Sequence, residues 1–275
     1  KENVFCVDLT HFRHNYNYVS RAHMYHWFNR HMKWGLKEPI VEADFKLLSK
    51  EEHAVWNEKH PEPPGGEAFE SKLTQWVAER DAKLVAKMTV AELRKAWGAL
   101  IGRTTPDYKD VAREKVTKVK RDGYLEFTDI LRLKARGESL PVVSLYPAKE
   151  WNGKAVLILS DNGKAGLFAG DGKPTAAVRA HLAAGTSVVG VDLFQQGEFL
   201  KDGKPLAQSR VVTNPRQFAG YSFAYNHTLF ARRVHDVLTV LAWVRGCESE
   251  KPEHIRVEAA GNIAPVAVAA LAVDG

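Results

Sequence analysis

The chain changes period along its length, and the changes mark its elements. Asn3 to Leu9 (NVFCVDL) is a short apolar run that predicts a buried strand, followed by the polar, His-rich THFRHNYNYVSR. Ser20 is a plausible N-cap for a helix running to about Met32, with Met24, Phe28 and Met32 at helical spacing beside Trp27, and Gly35 ends it. From Leu36 to Gly66 the apolar residues are scattered and a Pro/Gly break follows, which reads as a connector. Glu67 to Met88 is helical. A second helix follows, opened by Thr89 and Glu92 at capping-box spacing.

Beyond Pro106 short strands take over. Residues 114–123 alternate apolar and polar positions as half-exposed antiparallel strands do, and residues 124–136 and 140–148 continue the strand series. KAVLILS (154–160) and SVVGVDL (187–193) are unbroken apolar runs, the pattern of strands buried on both faces of a parallel sheet, with a helix between them. A long amphipathic helix over 228–246 should face the sheet through Phe230, Val234, Val237, Leu238 and Leu241, and Ile255 to Ala260 is the next parallel strand. Antiparallel strands followed by β-α-β-α-β predict a doubly wound, mostly parallel sheet with right-handed crossovers.

The last strand meets a Gly-led turn and a helix of small residues, the shape that carries a nucleophile in a G-x-S-x-G elbow. Here the register is Gly261-Asn262-Ile263-Ala264-Pro265, so Ile263 stands at the expected nucleophile position, and the elbow is read as silent. Ser222, in GYSFA, is the nearest other match, but no apolar strand leads into it.

Composition adds little. Hydrophobic residues at 45% and charged residues at 26% suit a globular chain, and the formal charge of +6 is interleaved in sign, which argues against a nucleic-acid stripe. No apolar run is long enough to span a bilayer, and Cys6 and Cys247 show no metal or redox spacing. The pairs His11/His14 and His23/His26 lack the further convergent ligands that zinc needs, so no metal and no cofactor is expected. GLFAGDGK has neither P-loop spacing nor the Ser/Thr after Lys173. The sequence begins at Lys1 without a leader pattern and stops inside a helix, so both ends are expected to be cut.

Several stretches together resemble bacterial α/β-hydrolases of the acetyl-xylan-esterase-like kind: RHNYNYVSRAHMYHWFNRHM, GGEAF, WNGKAVLILSDNGKAGLF and GVDLFQQGEF…FAYNHTLFARRVHDVL. Some members of that group carry two modules in tandem. In chain order such a hydrolase runs Ser, acid, His, whereas here the strand–His loop–helix comes first. The resemblance therefore implies that residues 1–35 are the C-terminal tail of an upstream module and residues 36–108 a connector and helical linker. Residues 109–275 would then be the N-terminal part of a second, degenerate module with an incomplete sheet and an open strand edge.

The resemblance also implies roles. His14 would be the triad histidine, since a base on the loop after a strand end reaches the carboxyl edge of a sheet, with its serine and acid outside this sequence. Asn15, Tyr16 and Asn17 would brace that loop. Asn162 and Gly163, after the strand at 154–160, stand where an oxyanion loop would lie, although Asn-Gly is also an ordinary tight turn. Asp192 and Glu198 border a strand end without an assigned role. His235 and Asp236 are adjacent on a helix and cannot pair with each other. The implied protein cleaves carboxylic esters, acetyl groups on plant polysaccharide among them, with an ester or carbohydrate substrate, the upstream module as partner, and a secreted or cell-envelope location. The alternative is a non-catalytic binding or scaffold module on the same fold.

Overall fold

The computed structural model describes residues 2–148, 150–204, 226–247 and 251–275. The chain divides into two compact units, Lys1–Gln75 and Trp76–Gly275.

In the first unit, helix α1 (Tyr18–Met32) is capped by Asn17, whose side-chain oxygen accepts the Ser20 N–H. The cap thus lies three residues before the one predicted. The helix ends where Lys33 turns left-handed at φ 55°, ahead of Gly35. The segment after it returns along α1 and is held by polar contacts. Arg21 donates to Glu42 through Nε (2.5 Å) and Nη2 (2.7 Å), and the Tyr25 hydroxyl donates to the same carboxylate at 2.7 Å. Asn29, buried, donates to Leu36 O (2.9 Å) and Glu38 Oε1 (2.8 Å) and accepts from Leu36 N (2.9 Å).

The strand predicted over 3–9 does not form. Val4 is 77% exposed, and no described strand pairs with this stretch. A strand exists only where a neighbour completes its ladder, so an apolar run without one stays irregular. Phe5 instead stacks on Trp27 with ring centroids 5.6 Å apart. A single turn, α2 (Lys50–His53), carries a Ser49/Glu52 capping box that the sequence reading missed.

Helix α3 (Gly66–Val85) runs across the division between the units, and α4 (Val90–Ile101) opens with the expected Thr89/Glu92 box. The strands are β1 (Val111–Arg121), β2 (Tyr124–Leu133), β3 (Glu138–Pro147), β4 (Lys154–Leu159), β5 (Ser187–Val191) and β6 (His254–Ala259). They form one sheet in the order β1-β2-β3-β5-β4-β6. The pairings β1/β2, β2/β3 and β3/β5 are antiparallel, while β5/β4 and β4/β6 are parallel, so the sheet is mixed. The parallel part is the predicted β-α-β-α-β region, and the antiparallel opening is longer than a mostly parallel sheet implies.

Neighbouring residues of the central strands serve opposite faces, as the period of two requires. Val142, Leu157 and Val189 join one core; Val143, Val156 and Val188 join the other. The first core is covered by α6 (Leu229–Gly246) and α7 (Ala264–Asp274), the second by α5 (Ala176–Ala183). This two-sided cover is why β4 and β5 read as unbroken apolar runs. Val234, Val237, Leu238 and Leu241 are buried in the first core, with Phe230 packed at its margin, as predicted.

The resemblance implied that residues 36–108 are a connector and helical linker; of these, residues 90–108 pack within the second unit. Ile101 is buried in the first core, its carbonyl lies 2.7 Å from His235 Nε2, and Thr105 Oγ1 donates to Asp274 at 2.7 Å. Arg103, buried, grips Glu138 with both terminal nitrogens at 2.8 and 2.9 Å. An amphipathic helix shows an apolar face in sequence but not the surface it covers, and here that surface is α6 and α7.

Candidate functional site

The carboxyl ends of β4, β5 and β6 share one edge, the place where open α/β sheets gather their chemistry. After β4 comes Ser160-Asp161-Asn162-Gly163, after β5 Asp192 to Gly197, and after β6 Gly261-Asn262.

Asp192 organises the middle of this edge. Buried at the end of β5, it accepts from Lys164 N (2.9 Å), Lys164 Nζ (2.5 Å) and Glu198 N (3.0 Å). Lys164 also bonds Glu198, so one ammonium bridges two carboxylates. The carboxylate fits because Gly163 and Gly197 have no side chain. A Cβ on either would lie 2.2 Å from an Asp192 side-chain atom.

The loop after β5 is fixed from α6. Phe194 N donates to Asp236 Oδ2 at 2.7 Å, and Arg233 donates to Phe194 O (3.0 Å) and Gln195 O (3.4 Å). Gln195 takes φ 61°, a left-handed conformation that is uncommon and costly for a non-glycine residue. Burial drives the Asp236 carboxyl up to about 7, and burial also lowers Arg233. Gln196, buried, ties this loop to the neighbouring one by donating to Ser160 O (3.1 Å) and Asp161 O (3.2 Å).

The turn after β6 is the most informative part of the edge. Its left-handed residue is Gly261, at φ 78°; Ile263 has helical angles, −84° and −16°, and is buried in the core. The position read as the vacant nucleophile therefore points inward and is not the apex of the turn. The register read from the sequence took Gly261 as the first glycine, two residues before Ile263, whereas Gly261 is itself the left-handed residue of the turn. Asp161 Oδ2 accepts the Asn262 N–H at 3.2 Å and lies 3.4 Å from Asn262 Nδ2. It also stands 2.8 Å from where a Gly261 Cβ would be. The end of β4 thus covers the turn after β6 with a carboxylate.

The other candidates divide. Asn162 N donates to Ser160 Oγ (3.2 Å) and Gly163 N to Ser160 O (3.0 Å), so both N–H groups offered as an oxyanion loop are engaged within their own turn. His14 is exposed on a loop of the first unit, with no strand before it. Asn15 braces that loop, its Nδ2 donating to Arg13 O and its Oδ1 accepting Asn17 N; the Asn17 side chain caps α1 instead, and Tyr16 contributes its carbonyl, which accepts from Arg21. His235 and Asp236 have separate partners, Ile101 O and Phe194 N. Ser222 lies outside the described residues. Among the described residues no three His, Cys, Asp or Glu side chains are grouped to hold a metal ion, and no helix is long and apolar enough to cross a membrane.

Sequence reasoning missed Asp161, Gln196 and Arg233. Of these only Arg233 left a signal in sequence: it stands at i,i+3 from Asp236 on the long helix α6.

Solved structures share this architecture. A Bacteroides fragilis protein provisionally named an acetyl xylan esterase superposes with a TM-score of 0.51 at 14% identity, covering 67% of this chain and 50% of its own. Acetyl xylan esterase 1 from Thermoanaerobacterium sp. gives 0.43 at 15% identity, over 68% of this chain and 60% of that one. A glucuronoyl esterase from Solibacter usitatus gives 0.43 at 13%, over 64% and 54%. The chain spans half to three-fifths of the length of these proteins. No protein-family model matches it, and no curated protein does. The six-stranded mixed sheet with its flanking helices is a fold of the α/β-hydrolase type, which it shares with the Bacteroides fragilis protein.

Proposed function

We propose that the chain is part of a serine-type carboxylic-ester hydrolase acting on carbohydrate esters, with acetyl xylan as the candidate substrate. In this reading residues 76–275 form a catalytically silent hydrolase unit. The observation that carries it is the turn after β6. Gly261 holds the left-handed apex where an elbow presents its nucleophile, and glycine has no atom with which to attack a carbonyl. The next backbone N–H, Asn262, which in a working elbow faces the oxyanion, is engaged by the Asp161 carboxylate. A fixed negative charge there opposes a developing one.

The chemistry then belongs to an upstream module of the same polypeptide, with His14 as its base. His14 would take the proton of a serine outside this sequence and return it to the leaving alcohol, with an acid, also outside it, orienting the imidazole. The sequence resemblance of the residues around His14 and the exposure of its loop support this assignment. The silent unit would pack against and shape the active one.

The test is His14→Ala in the full-length parent protein, assayed with p-nitrophenyl acetate. A fall of at least a hundredfold in kcat is expected, and undiminished turnover overturns the assignment. The rival reading, a non-catalytic scaffold, is separated by the upstream sequence: the enzyme requires a G-x-S-x-G after an apolar strand and a later acid.

A further inference from the structure

The sheet of the second unit has two edge strands, and they are built differently. Among the described residues β1 pairs only with β2, and β6 only with β4. An edge strand offers unpaired N–H and C=O groups to any other strand, and proteins guard such edges with like charges and bulges. β1 is guarded in both ways. It carries five cations, Arg113, Lys115, Lys118, Lys120 and Arg121, against the one carboxylate of Glu114, and its register breaks between Lys115 and Thr117. β6 has neither guard. Its register against β4 runs unbroken from His254 to Ala259, and beside His254 it carries one cation, Arg256, and one carboxylate, Glu258.

The helix that follows β6 is open in the same way. α7 carries no charged residue before Asp274. Val266, Ala267, Ala269 and Ala270 are buried in the first core, while Val268 and Leu271, which share the opposite face at i,i+3, are 67% and 43% exposed. A helix that is apolar all round is one that is covered all round. Ile255, Val257 and Ala259 pack against that same core, so α7 and the apolar side of β6 lie on one face of the sheet. Arg256 and Glu258 alternate to the other face. There Arg256 Nε stands 3.0 Å from Glu258 Oε1, and His181 Nε2 stands 3.3 Å from the same carboxylate.

We infer that β6 is an interface whose partner is β6 of a second copy of this chain, paired antiparallel about a two-fold axis at Val257. Charge complementarity fixes both partner and register. With Val257 opposite itself, Arg256 of each copy faces Glu258 of the other, and Ile255 faces Ala259. The four charges then alternate in sign on one face, and the apolar residues meet on the other. The same pairing at β1 would set lysines and arginines against one another. A two-fold axis perpendicular to the sheet keeps both α7 helices on one face, where Val268 and Leu271 of the two copies meet. A stable dimer usually buries roughly 1,200–2,000 Å², more than a six-residue ladder covers, so the α7 faces are an integral part of the contact.

The test is sedimentation equilibrium of the full chain at micromolar concentrations, where a reversible dimer is expected. Val268→Lys/Leu271→Lys, at exposed positions, should weaken it at least tenfold with an unchanged circular dichroism spectrum. Glu258→Arg, which sets Arg256 against a like charge, should also weaken it at least tenfold. Adding Arg256→Glu to Glu258→Arg exchanges the two signs and should restore the affinity to within about threefold of the parent's. A chain that stays monomeric overturns the inference. So does a dimer that withstands either Val268→Lys/Leu271→Lys or Glu258→Arg, or one whose loss in Glu258→Arg the exchange fails to restore. Open-ended association overturns it too, since a two-fold contact closes at two copies. His14→Ala should leave the dimer intact, so a failed His14 assignment and a failed interface are told apart.

Discussion

Asp161 and Asn262 are 101 residues apart in sequence, yet the carboxylate of one accepts the backbone N–H of the other at 3.2 Å, joining the ends of β4 and β6. The contact is possible only because Gly261, between strand and helix, has no Cβ to meet the same oxygen at 2.8 Å. Gly261→Ala should therefore destabilise the second unit by about 2 kcal/mol, from left-handed strain and crowding together. Asp161→Ala should cost about 1 kcal/mol. In urea unfolding followed by tryptophan fluorescence, the double variant should lose clearly less than the sum. Strict additivity would show that the two residues do not share this space.

Asp192 makes the same argument more severely. Gly163→Ala places a Cβ 2.2 Å from its carboxylate at a backbone φ of 60°, and should cost roughly 2–4 kcal/mol in the same unfolding assay. Asp192→Ala should cost about 3 kcal/mol, because Lys164 keeps only Glu198 as a counter-charge. A loss below about 1 kcal/mol for either variant would show that the loops rearrange around the change.

Asp236 should make stability depend on pH. Burial raises its carboxyl to about 7, well above the roughly 4 of an unfolded chain. Between those values the folded state binds more protons than the unfolded one, so stability falls as pH rises from about 4 to 7 and levels off above. Asp236→Asn keeps an oxygen for Phe194 N and removes the titration. Its unfolding free energy should be flatter across that window than the parent's, and an unchanged slope would refute the assignment.

In the first unit the sign is opposite. The hydrogen bond from Arg21 holds the Glu42 carboxyl down to about 2, so the folded state favours its ionised form. The clamp between α1 and residues 36–42 should persist at neutral pH and dissolve as pH falls from about 4 through 2. Glu42→Gln should loosen it at every pH. Amide hydrogen exchange at Leu36, whose N–H is held by Asn29, reads this directly, and protection unchanged at pH 2 would count against the clamp.

Much of the second unit was legible in sequence. Residues 154–160 and 187–193 announced strands covered on both faces, and Thr89 with Glu92 announced a helix start, because these signals depend on local chemistry alone. The strand expected at 3–9 was not real, since an apolar run does not reveal whether a ladder partner exists. The Gly-led turn after β6 was legible, but its left-handed residue is Gly261 and Ile263 is helical: glycine identity set the match, and backbone angle sets the geometry. Asp161 was invisible, because nothing local to residue 161 says that residue 262 will stand beside it.

The anchoring of α4 and the residues just after it bears on where the second unit could be cut. Ile101, Arg103 and Thr105 reach α6, β3 and α7 respectively, so a splice at residue 108 would strip a wall from the core and leave Glu138 without its guanidinium. A workable joint must lie upstream of Val90. The piece that can fold is larger than its sheet, and the segment that looks like a tether is one of its walls.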